Sequence, residues 1–187
     1  MRTDLDELVN RAKEGRVDKR EVAELARELA STEDESRAYR LLYVIGRSSA
    51  TEHEELVSGF LRGDDAELAK LALQILCTHW GLTESYLDSV RTFLDGVPWD
   101  PSGDTRLIAT SAAGEHLRDH TDTGLLARLI ELAQPDDDDP VQRRVALEAL
   151  ARALGDPEAE TLRAGDDNRE DWATRVLTRA EDRLATE

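Results

Sequence analysis

Leucine and alanine recur at helical spacing along almost the whole chain, and this periodicity restricts the fold more than any other feature. In one segment Val22, Leu25, Ala26 and Leu29 fall on one helical face, and comparable segments of mostly 11 to 17 residues follow one another through the sequence. No segment alternates apolar and polar side chains convincingly, as a half-buried strand would. The sequence therefore predicts an all-α protein of about ten or eleven helices.

Short polar links separate these segments and carry residues that start and stop helices. Asp18 with Glu21 and Thr51 with Glu54 form the capping-box pattern, and Thr83 is the predicted cap of a later helix. Glycines end most segments, as C-terminal stops do. Helices joined by such short links pack as antiparallel pairs.

Two segments match position by position. Residues 66–81 read AELAKLALQILCTHWG and residues 140–155 read PVQRRVALEALARALG, so that Lys70 aligns with Arg144 and both segments end in glycine. A third segment, which begins at Asp104, fits more loosely. The first helices of the pairs start about 30 to 39 residues apart, which is the period of helical solenoids.

The segment DDPVQRRVALEALARALGDPEA, residues 138–159, resembles HEAT repeats, whose first helix opens with an acidic turn followed by Arg, Ala and Leu at helical spacing. The segments at 65–81, 104–117 and 34–46 are similar to it in decreasing degree. The resemblance implies an α-solenoid of HEAT-like antiparallel helix pairs, with a generic helical bundle as the alternative. We expect one domain over 1–187, made of N-terminal cap helices over 1–32, repeats over 33–163 and a C-terminal cap helix over 166–187.

The formal net charge of −17 restricts the partners. A field this negative repels nucleic-acid backbones and anionic membranes, and it speeds encounter with a basic protein. A GC-rich genome or a salty cytoplasm would also produce abundant acid and scarce lysine, and that explanation stays open. No apolar run suggests a signal peptide or a membrane span, so we expect a cytoplasmic protein. The single Cys77 lies in an apolar run and is predicted to be a buried, reduced thiol.

Few residues suggest chemistry. His116 and His120 are one helical turn apart and could bind zinc, but Leu117 stands where the H-E-x-x-H signature has its glutamate. We favour a solvated polar helix end there and leave metal binding open. The pair His53-Glu54 is similar to the pairs with which HEAT-type hydroxylases bind two irons, yet those enzymes need several such pairs. No glycine-rich phosphate loop or nucleophile motif occurs, so we predict no catalytic site, no metal site and no cofactor.

The resemblance to HEAT repeats also implies where a partner would bind, because the second helices of successive pairs usually line a concave groove. In addition, the loop PWDPSGD contains a tryptophan, a frequent interface anchor, although Trp99 could instead fold back onto the stack. The predicted protein-binding residues are Glu55, Asp88, Arg91, Trp99, Asp100, Arg128 and Glu131.

Three functions follow in order of preference. The first is a non-enzymatic protein-binding module, in its most concrete form an immunity or inhibitor protein that neutralises a basic toxin enzyme such as a nuclease. The second is a structural or adaptor subunit of a larger assembly, and the third is a divergent metal-dependent HEAT-repeat enzyme. The expected partner is another protein with basic character, not nucleic acid or a membrane, and the chain is expected to be a monomer or a weak homo-oligomer.

Overall fold

The structure, a computed structural model, describes residues 5–63, 65–135, 139–157 and 169–186. These residues form ten α-helices and no strand, which confirms the all-α prediction. The helices are α1 (Leu5–Lys13), α2 (Lys19–Leu29), α3 (Glu35–Arg47), α4 (Glu54–Gly59), α5 (Ala66–Leu73), α6 (Leu87–Asp95), α7 (Asp104–Asp119), α8 (Thr123–Ala133), α9 (Pro140–Ala153) and α10 (Arg169–Thr186). A short helix predicted near residues 157–163 lies almost entirely outside the described residues.

Shorter helical segments extend three of these helices. Turns of 3-10 helix at Thr51–His53 and Phe60–Arg62 flank α4, and another at Thr83–Tyr86 precedes α6. The segment Gln74–His79 continues α5 with π-helical geometry, in which each backbone hydrogen bond spans one residue more than in an α-helix. No helix in the described part of the chain is both long enough and apolar enough to cross a membrane.

The chain divides into two compact units. The first comprises the residues up to Ser89 together with Val97–Thr105, and the second comprises Val90–Gly96 and the residues from Arg106 onward. Each unit has its own core of leucine and alanine side chains, with Leu41, Leu42 and Leu76 fully buried in the first and Leu126 and Leu129 in the second. The division into cap helices and repeats remains a prediction.

Aspartates begin half of the described helices. Asp18, Asp34, Asp65, Asp122 and Asp139 each accept a hydrogen bond from the backbone N–H three residues ahead, at 2.9 to 3.0 Å. Each such cap satisfies an amide that would otherwise lack a partner and contributes about 1 kcal/mol. The predicted cap at Asp18 is therefore present, although the carboxylate of Glu21 pairs with Arg11 rather than completing the box. The helix predicted to start at Thr121 or Thr123 starts at Thr123 with Asp122 as its cap.

Both predicted threonine caps are wrong. Thr51 begins a 3-10 turn, and α4 starts at Glu54 without a side-chain cap. The carboxylate of Glu54 instead accepts a hydrogen bond from the Tyr86 hydroxyl at 2.7 Å. Thr83 also begins a 3-10 turn, and its hydroxyl donates to the carbonyl oxygen of Cys77 at 3.4 Å. In both places the polar side chain that a local cap would use is hydrogen-bonded to a group outside its own helix start, 32 residues away for Glu54 and six residues away for Thr83.

The two matching segments have equivalent ends in the structure. Asp65 caps α5 as Asp139 caps α9, and both aspartates lie one residue before the aligned segments. The terminal glycines also correspond, since Gly81 has φ +68° and Gly155 has φ +63°. Each segment ends at a residue in the left-handed backbone conformation, which glycine adopts without steric cost.

The matching segments also pack alike against the preceding first helix. Ile75 contacts Gly46 of α3 so closely that a Cβ on the glycine would overlap the isoleucine side chain. The aligned Ala149 lies against Gly114 of α7, where an added Cβ would come within 2.7 Å of the Ala149 backbone. Glycine therefore allows close helix contact at the same repeat position in each unit.

The predicted burial of Cys77 is confirmed, since its side chain lies in the core of the first unit. Burial raises the pKa of the thiol to about 11, and the nearby hydroxyl of Thr83 only partly offsets that rise. A thiol in this setting stays protonated at neutral pH and behaves as a small apolar side chain.

Candidate protein-binding surface

The predicted binding residues fall into both units. Glu55, Asp88, Trp99 and Asp100 belong to the first unit, and Arg91, Arg128 and Glu131 belong to the second. The pairing predicted from the sequence makes α4, α6 and α8 second helices. The two units differ sharply in how the charges on these helices are compensated.

In the first unit two exposed carboxylates on or beside the second helices have no ion-pair partner among the described residues. Glu55 on α4 and Glu84 before α6 are exposed, and neither forms an ion pair with any described residue. The hydrogen bond between Tyr86 and Glu54 joins these two helices. We call the exposed set Glu52, Glu55, Glu84 and Asp88 the second-helix acidic surface.

The scarcity of basic residues explains why this surface stays negative. Between Arg47 and Arg91 the sequence contains only Arg62 and Lys70 as basic side chains. The ammonium group of Lys70 is already 2.8 Å from Glu67 and 3.5 Å from Asp104. Burial of the Tyr86 hydroxyl, together with the adjacent Glu54, raises the pKa of this tyrosine, as a locally negative environment should.

In the second unit arginines neutralise the equivalent carboxylates. Arg91 pairs with Asp122 at 2.6 Å, while Arg128 pairs with Glu131 at 2.8 Å and with Asp95 at 3.2 Å. These pairs surround a cleft of about 240 Å³ whose floor includes Leu94 and Leu125. Arg91 and Arg128 thus line the same cleft, but each already pairs with a carboxylate of this unit.

Asp100 has a structural role within its loop. Its carboxylate is buried and accepts hydrogen bonds from the backbone N–H of Thr105 at 2.7 Å and from the hydroxyl of Ser102 at 3.0 Å. Burial alone would raise the pKa of Asp100, but these hydrogen bonds outweigh it and hold the pKa below its usual value. Asp100 is therefore not part of the exposed surface, whereas Trp99 beside it is half-buried.

The expectation of a solvated helix end at His116 is wrong. His116 is only 8% exposed, and its ring stacks on that of His120 with centroids 4.3 Å apart and planes 3° from parallel. Arg183 of α10 donates to the carbonyl oxygens of Leu117 and His120 and covers this end of α7. In the described residues no group of three His, Cys, Asp or Glu side chains is arranged to hold a metal ion.

A cleft of about 480 Å³ between α3 and α5 was not anticipated from the sequence. Tyr39 lines it and is 36% exposed. A signal for it was available, because Tyr39 lies at the repeat position that holds Lys70 and Arg144 in the matching segments.

Comparisons of the chain with protein-family models, with curated proteins and with solved structures found no match.

Proposed function

We propose that this chain is a non-enzymatic protein-binding module of the cytoplasm that docks a basic protein on its second-helix acidic surface. The observation that carries the proposal is the contrast between the units. Arginines compensate the carboxylates of α8 and the end of α6, whereas Glu55 and Glu84 have no such partner. Uncompensated exposed carboxylates lower the stability of the protein that bears them, and a basic partner would relieve that repulsion.

The charge distribution supports a protein partner over a nucleic acid. The first unit has 21 acidic and 12 basic side chains in its sequence, and the second has 20 and 12. Neither unit therefore has the basic excess that phosphate backbones require. An acidic surface of this kind accelerates capture of a basic protein, and an immunity or inhibitor protein for a basic toxin enzyme is the most concrete form of the proposal.

A structural subunit is the alternative, and the apolar surface favours it less. Obligate interfaces bury extensive apolar area. Among the described residues, the exposed large apolar side chains are Tyr39 and Val141, one in each unit. That surface fits a monomer or weak homo-oligomer that meets its partner through charge. The enzyme alternative has only the stacked pair His116 and His120 in its favour.

The test is affinity capture from the source lysate at moderate salt, with charge-reversed variants. We expect the double variant Glu55→Lys with Glu84→Lys to lose the basic proteins that the wild-type chain retains. The control, Glu181→Lys with Asp182→Lys, changes the formal charge equally at exposed positions of α10 and should retain them. Equal loss of captured proteins in both variants would show that binding depends only on net charge. If the wild-type chain captures no basic protein, the proposal is wrong.

A further inference from the structure

Tyr39 occupies a position at which the chain's own repeat holds a basic residue. It follows the cap Asp34 by five residues, as Lys70 follows Asp65 and Arg144 follows Asp139. Each of the three aspartates accepts a hydrogen bond from the backbone N–H three residues ahead, so the register is structural as well as sequential. The first helix α3 therefore lacks the cation that α5 and α9 carry.

The role of that cation is visible at Lys70. Its ammonium group lies between Glu67 of its own helix and Asp104 at the start of α7, at 2.8 Å and 3.5 Å. Partial burial would lower the pKa of Lys70, but the two carboxylates outweigh it and raise the pKa. The lysine thus neutralises acidic groups that neighbouring first helices bring together.

Helix α3 carries no cation at the position of Tyr39, although Lys70 of α5 already pairs with Glu67. The cleft of about 480 Å³ beside it is rimmed by Glu35 and by Asp65 and Glu67 from α5. Arg40 also lines the cleft, but its guanidinium pairs with Asp6 of α1 at 2.9 Å. Glu35 forms no ion pair with any described residue, and the tyrosine side chain remains open to solvent.

We propose that this cleft receives an arginine side chain of a protein partner. The guanidinium would supply the missing cation, because its plane can stack on the Tyr39 ring while its N–H groups donate to Glu35 and to Oε2 of Glu67, whose Oε1 accepts from Lys70. Arginine is favoured over lysine because an ammonium group has no flat face to stack on the tyrosine ring and no planar pair of N–H groups to donate to two carboxylates. The site lies on first helices and shares with the proposed function only the premise of a basic protein partner.

The test is a titration of the full chain with a hexa-arginine peptide, followed by amide chemical shifts, with hexa-lysine as the comparison. We expect the shifts to cluster at α3 and the start of α5, and hexa-arginine to bind more tightly than hexa-lysine. Tyr39→Lys restores the repeat residue, so it should weaken hexa-arginine binding about tenfold by removing the stacking surface and adding a like charge.

The chain offers a matched control, because Val141 is the other exposed large apolar side chain of the described residues. Val141→Lys adds the same charge in the second unit and should leave hexa-arginine binding within about twofold of wild type. Equal binding by Tyr39→Lys and the wild-type chain, or equal loss in both lysine variants, would overturn the proposal. The double variant Glu55→Lys with Glu84→Lys should still show the amide shifts that hexa-arginine induces at α3. The proposal for this cleft is therefore tested separately from the proposal for the second-helix acidic surface.

Discussion

Single glycines decide how closely first helices pack at one repeat position. Gly114 and Gly46 differ in what they meet, because Gly114 faces the backbone of Ala149 and Gly46 faces the flexible side chain of Ile75. Backbone cannot move aside as a side-chain end can, so the position at Gly114 tolerates no additional atom.

Substitution of Gly114 by alanine should therefore destabilise the protein even though alanine is the better helix former. We expect a loss of about 1 to 3 kcal/mol in the free energy of unfolding, measured by urea denaturation. Gly59→Ala is the control, because an added Cβ there meets no atom within 4 Å. Gly59 has ordinary helical geometry, so that change should be neutral or stabilise by up to about 1 kcal/mol. Equal effects of the two substitutions would contradict this account.

At the scale of elements, the guanidinium of Arg183 links α10 to the ends of two other helices. Arg183 donates to the carbonyl oxygens of Leu117 and Ala153 at 3.1 Å each and to that of His120 at 3.2 Å. The carbonyls of Leu117 and His120 lie at the C-terminal end of α7, and Ala153 is the last residue of α9. The last carbonyl groups of a helix have no intrahelical hydrogen-bond donor, and the helix C-terminus carries a partial negative charge. A guanidinium there donates hydrogen bonds to these carbonyls and offsets the charge.

We expect Arg183→Ala to lower the free energy of unfolding by about 1 to 3 kcal/mol, since it removes hydrogen bonds to a charged donor. Arg183→Lys should recover only part of the loss, because an ammonium group cannot span three carbonyls in a planar fork. Arg20→Ala is the control, because its side chain is 92% exposed and its ion pair with Glu24 is 3.8 Å long. That variant should change stability by less than about 0.5 kcal/mol in thermal unfolding.

Helix starts that depend on local chemistry were predictable, whereas those that depend on distant partners were not. An aspartate and the amide three residues ahead are close in sequence, so the cap at Asp18 could be identified directly. Glu54 was misread because Tyr86 reaches it from 32 residues away. The end of α7 was misread because Arg183 reaches the carbonyl oxygens of Leu117 and His120 from more than 60 residues away. In the same way Glu55 and Asp88 could be proposed from the predicted helix pairing alone, whereas the cleft at Tyr39 forms only where α5 packs beside α3.

At the scale of the whole molecule, one charge imbalance has two consequences that experiment can separate. A net charge of −17 repels itself in the folded state, and salt screens that repulsion. We therefore expect the Tm of the wild-type chain to rise between about 0.02 M and about 0.5 M NaCl, measured by circular dichroism. Capture of a basic partner should weaken over the same range, because the same screening removes the attraction.

The two charge-reversed double variants distinguish stability from recognition. Each removes the same amount of negative charge, so both should raise the Tm at low salt and flatten its salt dependence to a similar degree. Only the variant at Glu55 and Glu84 should lose partner capture. If the α10 variant loses capture in parallel with its change in Tm, the acidity acts through the total charge, as an adaptation to a salty cytoplasm would, and the second-helix acidic surface has no special role. Retained capture at α10 with lost capture at the acidic surface would assign recognition to those carboxylates.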